Sequence, residues 1–153
     1  MPLITKEVQF DAGHRVPRHQ SKCRNPHGHR YRVVVACIGD IISEEGAPDE
    51  GMLIDFGDLK LFMEREIHDV LDHGFIVYNQ DKPMLQALNT DIVAGEEPWK
   101  VITFPYVPTA ENIARWCFGQ LESLINDYWR GNLRLAYVGV CETPTSYAEA
   151  HSA

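Results

Sequence analysis

Cys23-Arg24-Asn25-Pro26-His27-Gly28-His29-Arg30-Tyr31-Arg32-Val33-Val34-Val35-Ala36-Cys37-Ile38 carries the clearest strand signal and the clearest chemistry of the chain. Residues 31–38 are rich in β-branched side chains and close on Gly39-Asp40, so they read as a strand. In extended backbone, residues i and i+2 point to the same face, so His27 and His29 present two imidazoles side by side. Gly28 between them permits close backbone approach. Upstream, residues 4–10 read as another strand with imperfect alternation, and His14 stands just beyond it. If the two strands are neighbours, His14 comes across as a third ligand. Three neutral nitrogens leave one tetrahedral position open, the catalytic rather than the structural pattern for zinc.

Working outward, residues 41–51 hold Gly46, Pro48 and Gly51 and read as a loop. Phe56, Leu59, Phe62, Met63, Ile67, Val70 and Leu71 then recur close to helical spacing. Asp55 suits the N-cap, Asp58 the first turn, and Gly74 a stop. A second helix follows Pro108-Thr109, with Ile113, Trp116, Cys117, Leu121, Leu124, Ile125 and Tyr128 as its apolar stripe and Gly131-Asn132 as its end. Leu133, Leu135 and Tyr137 predict a strand that continues, after a slip, through Val138 and Val140. Thr143-Pro144-Thr145 is turn material, and residues 146–150 predict a returning strand. Residues 76–107 yield only a short strand over 100–104; the remainder reads as a long loop. The order β-β-α-α-β-β predicts an α+β fold with an antiparallel sheet covered on one face by helices. Four strands cannot close a barrel, so the sheet edges need partners, and oligomerisation through them is expected.

The chain has 153 residues, which predicts one domain over 1–153; 44% are hydrophobic and 24% charged, as in ordinary soluble proteins. No apolar run approaches a membrane span, and the start, Met1 to Glu7, lacks a signal-peptide pattern. Cys23, Cys37, Cys117 and Cys141 show no CxxC spacing, which predicts a reduced, cytoplasmic protein. The net charge of −8 argues against binding a nucleic-acid backbone over the whole surface. It also hides a polarity. From Ala12 to Gly39 there is no Asp or Glu, while Arg15, Arg18, Lys22, Arg24, Arg30 and Arg32 make that stretch +6 and leave −14 for the rest. A local basic island in an acidic protein suits a small anion such as phosphate, although charge runs are often only solvated faces. The same surroundings disfavour a bare dication.

Cys23 lies four residues before His27 between Lys22 and Arg24, whose charge favours thiolate; it reads as a nucleophile or base, or as a loop cysteine without a role. The other three cysteines fall on apolar faces and read as core. Asp72-His73 ends the first helix; the carboxylate could orient the imidazole, or the histidine could simply complement the helix dipole. Glu142 interrupts the apolar last strand and reads either as an acceptor for a planar heterocycle or as a turn residue. His19, His68 and His151 read as exposed histidines without partners.

Six markers in order make the chain similar to one family, the 6-pyruvoyltetrahydropterin and 6-carboxytetrahydropterin synthases. They are Phe10-Asp11-Ala12-Gly13-His14, residues 23–29, Ile54-Asp55-Phe56, Leu71-Asp72-His73, residues 108–112 and Cys141-Glu142-Thr143. The resemblance implies a tunnelling fold assembled as two stacked trimers, a homohexamer with active sites at subunit interfaces. It implies zinc on His14, His27 and His29, Cys23 as catalytic base, and Asp72 and His73 as a proton relay completed from a neighbouring subunit. It makes Glu142 the pterin anchor and part of the relay, and Thr109 a pterin contact. The implied substrate is 7,8-dihydroneopterin triphosphate, for whose phosphates Arg15, Lys22 and Arg24 are candidates. Three residues between Cys23 and His27 resemble the carboxy-forming lyase of queuosine (7-deazaguanine) biosynthesis. The alternatives are the pyruvoyl-forming enzyme, another zinc enzyme on this fold, or a non-catalytic pterin-binding oligomer. The chain departs from compact members between His73 and Pro108, where it is longer, and Asn79 comes six residues after His73 rather than four.

Overall fold

A twelve-residue antiparallel pair organises the computed structural model, which describes residues 1–89, 97–128 and 132–153. Strand β1 (Leu3–His14) runs against β2 (His27–Ile38) in unbroken register, from Leu3 opposite Ile38 to His14 opposite His27. Alternation puts Phe10, Ala12, His14, Tyr31, Val33 and Val35 on one buried face. Asp11, Arg30 and Arg32 project from the other face, where Asp11 pairs with Arg30 and Glu7 with Arg32. Strand β5 (Arg134–Thr143) joins β2 on its far side, and β6 (Ser146–His151) returns along β5. The slip expected before Val138 is a β-bulge: Tyr137 faces Ala36 and Leu135 faces Cys37, which leaves Ala136 as the extra residue.

The sheet departs from the expected four antiparallel strands. It has six strands in the order β4-β3-β1-β2-β5-β6 and is mixed and curled. Strands β3 (Gly74–Tyr78) and β4 (Val101–Phe104) add parallel to β1 and to each other. The sequence read β3 as the end of a helix and the start of a loop. A five-residue apolar run has no period that separates these possibilities, and the run becomes a strand because the β1 edge is there to pair with it. Helix α3 (Lys82–Leu88) was also missed within the expected loop; Asp81 caps it and Pro83 sits in its first turn.

Helix α1 (Phe56–Met63) starts as expected, with Asp55 accepting from the Gly57 N–H. It continues through a π-helical turn (Glu64–His68) into α2 (Asp69–Leu71). Leu59, Met63, Ile67 and Leu71 are all fully buried and recur at intervals of four. On a regular α-helix that spacing drifts about 40° per step, and the wider π turn takes up the drift. Phe56 and Val70, expected in the same stripe, are exposed. The expected glycine stop falls one residue early: His73 is the left-handed residue (φ 58°), and Gly74 is small because β4's Ile102 packs against it. Helix α4 (Ala110–Asn126) is capped by Thr109 and buries Ile113, Cys117, Leu121 and Ile125. It stops before the expected end; Gly131 lies outside the described residues, and Tyr128 packs against the core from beyond the helix.

Candidate metal centre and active site

The register of β1 against β2 sets His14 directly opposite His27 and Ala12 opposite His29. Three imidazoles therefore converge, with ring centroids 4.6, 4.9 and 5.1 Å apart and one ligand atom from each within 4.8 Å of the others. Gly28 serves the close approach its position predicted: a Cβ there would stand 3.0 Å from the Ala12 carbonyl oxygen.

Backbone carbonyls fix the tautomers. His14 Nδ1–H donates to the Pro108 carbonyl and His27 Nδ1–H to the Asn25 carbonyl, both at 2.7 Å. Each ring is thereby left with its lone pair on Nε2, the ligating arrangement. Nε2 of His14 and of His29 are buried with no hydrogen-bond partner. Burial, more than any other influence, holds both imidazoles below the usual histidine range and so keeps them neutral. Buried, neutral and unpartnered nitrogens in a cluster are the donor set of a transition metal such as zinc, copper, iron or nickel. The residues present fit such an ion.

Glu142, near the end of β5, reaches the same cluster. Its Oε1 lies 3.4 Å from His14 Nε2 and 3.7 Å from His29 Nε2. Tyr31 stands edge-on to both His14 and His29 and stacks on Phe10, so one fully buried aromatic ring backs two of the three imidazoles. A cavity of about 570 Å³ opens beside Glu142 and His29, with Arg30, Arg32 and Thr143 on its walls.

The Asp72-His73 pair is built by the helix end. His73 Nδ1–H donates to Asp72 Oδ2 at 2.7 Å, while Asp72 Oδ1 accepts the Asp11 backbone N–H at 3.0 Å. That backbone N–H, with help from His73, keeps the Asp72 carboxyl below the ordinary carboxylate range. His73 also donates its own backbone N–H to the Asp11 carbonyl, and its ring is largely exposed. It lines a cavity of about 460 Å³ over Gly13 and Gly28, which shares Gly28, His29 and Arg30 with the cavity beside Glu142.

Comparison with known proteins decides the family. The pattern of 6-pyruvoyl tetrahydropterin synthase matches residues 3–153. The chain belongs to the 6-pyruvoyl tetrahydropterin synthase family. It is 36% identical to the 6-carboxy-5,6,7,8-tetrahydropterin synthase of Haemophilus influenzae, with 95% of this chain and 96% of that one covered. Among solved structures, an uncharacterised protein of Wolinella succinogenes superposes with a TM-score of 0.80 at 27% identity, covering 99% and 98% of the two chains. The 6-pyruvoyl tetrahydropterin synthase of Caenorhabditis elegans superposes with a TM-score of 0.63 at 26% identity, covering 100% and 98%.

Within this member of the 6-pyruvoyl tetrahydropterin synthase family, the structure brings His14, His27, His29 and Glu142 together. Cys23 sits half-buried on a short 3₁₀ turn (Lys22–Arg24), a few residues before His27. Cys37, Cys117 and Cys141 are buried, as their apolar positions predicted. Thr109 caps α4 by accepting from the Asn112 N–H at 3.4 Å; its neighbour Pro108 makes the contact to His14. Of the proposed phosphate ligands, Lys22 and Arg24 are exposed, but Arg15 already binds the Asp81 carboxylate through two nitrogens. His68 and His151, expected to be without partners, lie beside Asp69 and Glu149, and His19 Nδ1 faces Ser21. Sequence reasoning missed Tyr31, the Pro108 carbonyl and Asp81. Only Asp81 left a signal, the Asp-Lys-Pro start of a helix.

Proposed function

We propose that this protein is a zinc-dependent 6-carboxytetrahydropterin-forming lyase. It converts 7,8-dihydroneopterin triphosphate and one water to 6-carboxy-5,6,7,8-tetrahydropterin, acetaldehyde and triphosphate. The observation that carries the reading is the convergence of three imidazoles and one carboxylate, in a chain matched over its length by a relative of that name. Zinc held by His14, His27 and His29 supplies Lewis acidity toward the substrate's side-chain oxygens. Cys23 acts as the base that takes a side-chain proton. Asp72 orients His73 through Nδ1, which leaves Nε2 free to carry the proton returned to the ring. Glu142 anchors the pterin as a paired acceptor from its position beside the imidazoles. Thr109 contacts the ring, and the basic segment around Lys22 and Arg24 receives the phosphates.

A relay completed between subunits accords with the His73 ring, which is largely exposed in the single chain. Strands β4 and β6 form the two edges of the sheet and suit pairing in a homohexamer. The chain works as a single synthase domain. Its proposed site of action is the cytoplasm; no helix among the described residues is long and apolar enough to cross a membrane.

The test is a product assay. Zinc-loaded protein is incubated with 7,8-dihydroneopterin triphosphate and the pterin is read by mass spectrometry. A carboxytetrahydropterin with acetaldehyde supports the proposal. A pyruvoyl product moves the protein to the other reaction of the family, and unchanged substrate with zinc bound refutes both.

A further inference from the structure

We propose that Asp81 and Arg15 form a clamp that holds the Cys23 loop over the site, which makes Asp81 a positioning residue of the reaction. The inference rests on the reading of Cys23 given above. Asp81 is 3% exposed and comes from the segment between β3 and α3 that the sequence left as loop. Its carboxylate accepts from Arg15 Nε at 2.6 Å and from Nη2 at 2.5 Å, a bidentate pair. It also accepts the Met84 N–H at 3.3 Å, which fixes it to the start of α3. Arg15 directly follows the ligand His14. Its remaining nitrogen, Nη1, faces the Arg24 carbonyl at 3.4 Å, next to Cys23. One residue on, the Val16 N–H donates to the Cys23 carbonyl at 2.9 Å.

A single guanidinium thus joins the buried carboxylate to the turn that carries Cys23. Lys22, Arg24, Asn25 and Pro26 are all exposed, and the turn's other ties are the Val16 N–H to the Cys23 carbonyl and His27 Nδ1–H to the Asn25 carbonyl. With few buried apolar contacts, its order depends on such polar ties. A carboxylate is expensive to bury unless both oxygens are satisfied, and removing one member of such a pair leaves the other uncompensated. The clamp therefore acts on the position of Cys23, while His14 is oriented by the Pro108 carbonyl, which lies outside the turn.

The test compares Asp81→Asn, Arg15→Gln, the double variant and the milder Arg15→Lys. Each is assayed for zinc content, for kcat and KM on 7,8-dihydroneopterin triphosphate, and for the rate at which iodoacetamide alkylates Cys23. The expected result is zinc content equal to that of the parent protein, with kcat lower by about tenfold to a hundredfold and KM changed far less. Alkylation should accelerate severalfold as the turn loosens, and the double variant should be no worse than the poorer single one. Arg15→Lys should fall between the parent and Arg15→Gln. The clamp is refuted if these variants lose thermal stability alone while kcat and alkylation stay at parent values, or if the two single losses add in the double variant. Cys23→Ala is run in parallel. Normal turnover there sinks the assignment of Cys23 as base, while the alkylation rates still judge the clamp.

Discussion

Replacing Gly28 by alanine should weaken metal binding far more than it weakens the fold. The new methyl carbon would lie 3.0 Å from the Ala12 carbonyl oxygen and 3.7 Å from the Gly13 Cα. Ordinary contact to that oxygen begins near 3.4 Å, so β1 and β2 must separate by a few tenths of an ångström. The separation falls between the two residue pairs that hold the imidazoles, His14 with His27 and Ala12 with His29. A zinc ion with bonds of about 2.0–2.1 Å needs the ligand nitrogens to draw together from the present spread of up to 4.8 Å. The wedge pushes them the other way. Overpacking costs about 1–3 kcal/mol, partly offset because glycine itself costs a strand about 0.5–1 kcal/mol. Net loss of stability should therefore be about 1 kcal/mol, whereas disturbed ligand orientation typically costs 10- to 100-fold in metal affinity. A tenfold loss is about 1.4 kcal/mol less stabilisation by saturating zinc. With an unfolding entropy of about 2.1 cal/mol/K per residue, the zinc-dependent rise in Tm should shrink by about 4 °C. Chelator competition measures the affinity directly, and calorimetry with and without zinc measures the rise. Parent affinity and an undiminished rise in Gly28→Ala would show that the strands absorb the methyl without moving the imidazoles, and the argument would fail.

Gly119, exposed on α4 with open space around its Cβ direction, is the converse case: Gly119→Ala should raise stability by about 0.5–1 kcal/mol, read as a higher Tm with zinc affinity unchanged. Cys23→Ala should keep its zinc and lose turnover by about 10²- to 10⁴-fold, whereas His27→Ala should lose zinc in the same chelator assay. The Asp81 carboxyl is held below the ordinary range, first by its hydrogen bond from Arg15. Its stabilisation is therefore complete above the unfolded value of about 3.9 and is lost as the pH falls through the lower folded value. Denaturant titrations across that acidic window should show a smaller pH-dependent loss in Asp81→Asn than in the parent; equal slopes would contradict the assignment.

Local information sufficed wherever the signal was periodic or the residues were adjacent. Residues 31–38 announced a strand and His27-Gly28-His29 a same-face histidine pair if extended, because alternation in extended backbone is a property of the chain itself. Asp55 and Thr109 announced helix starts, because a cap acts on N–H groups two or three residues away. Even the bulge at Ala136 was visible as a slip in the apolar pattern. Residues 74–88 were not legible. Gly74–Tyr78 has the composition of a strand but too few residues for a period, and its partner β1 lies sixty residues upstream.

The sequence by itself thus determined the donor types, the HxH pair and the order of the long elements, all of which depend on neighbours within a few residues. Only the tertiary structure decided that His14 stands opposite His27, that Glu142 reaches the same nitrogens, and that the Pro108 carbonyl sets the tautomer of His14. It also decided that Arg15 is bound to Asp81. Each of these links joins residues that sequence spacing cannot bring together. Strand register and the closing of long loops set such distances, and both are fixed by burial of the whole sheet face and not by any one segment.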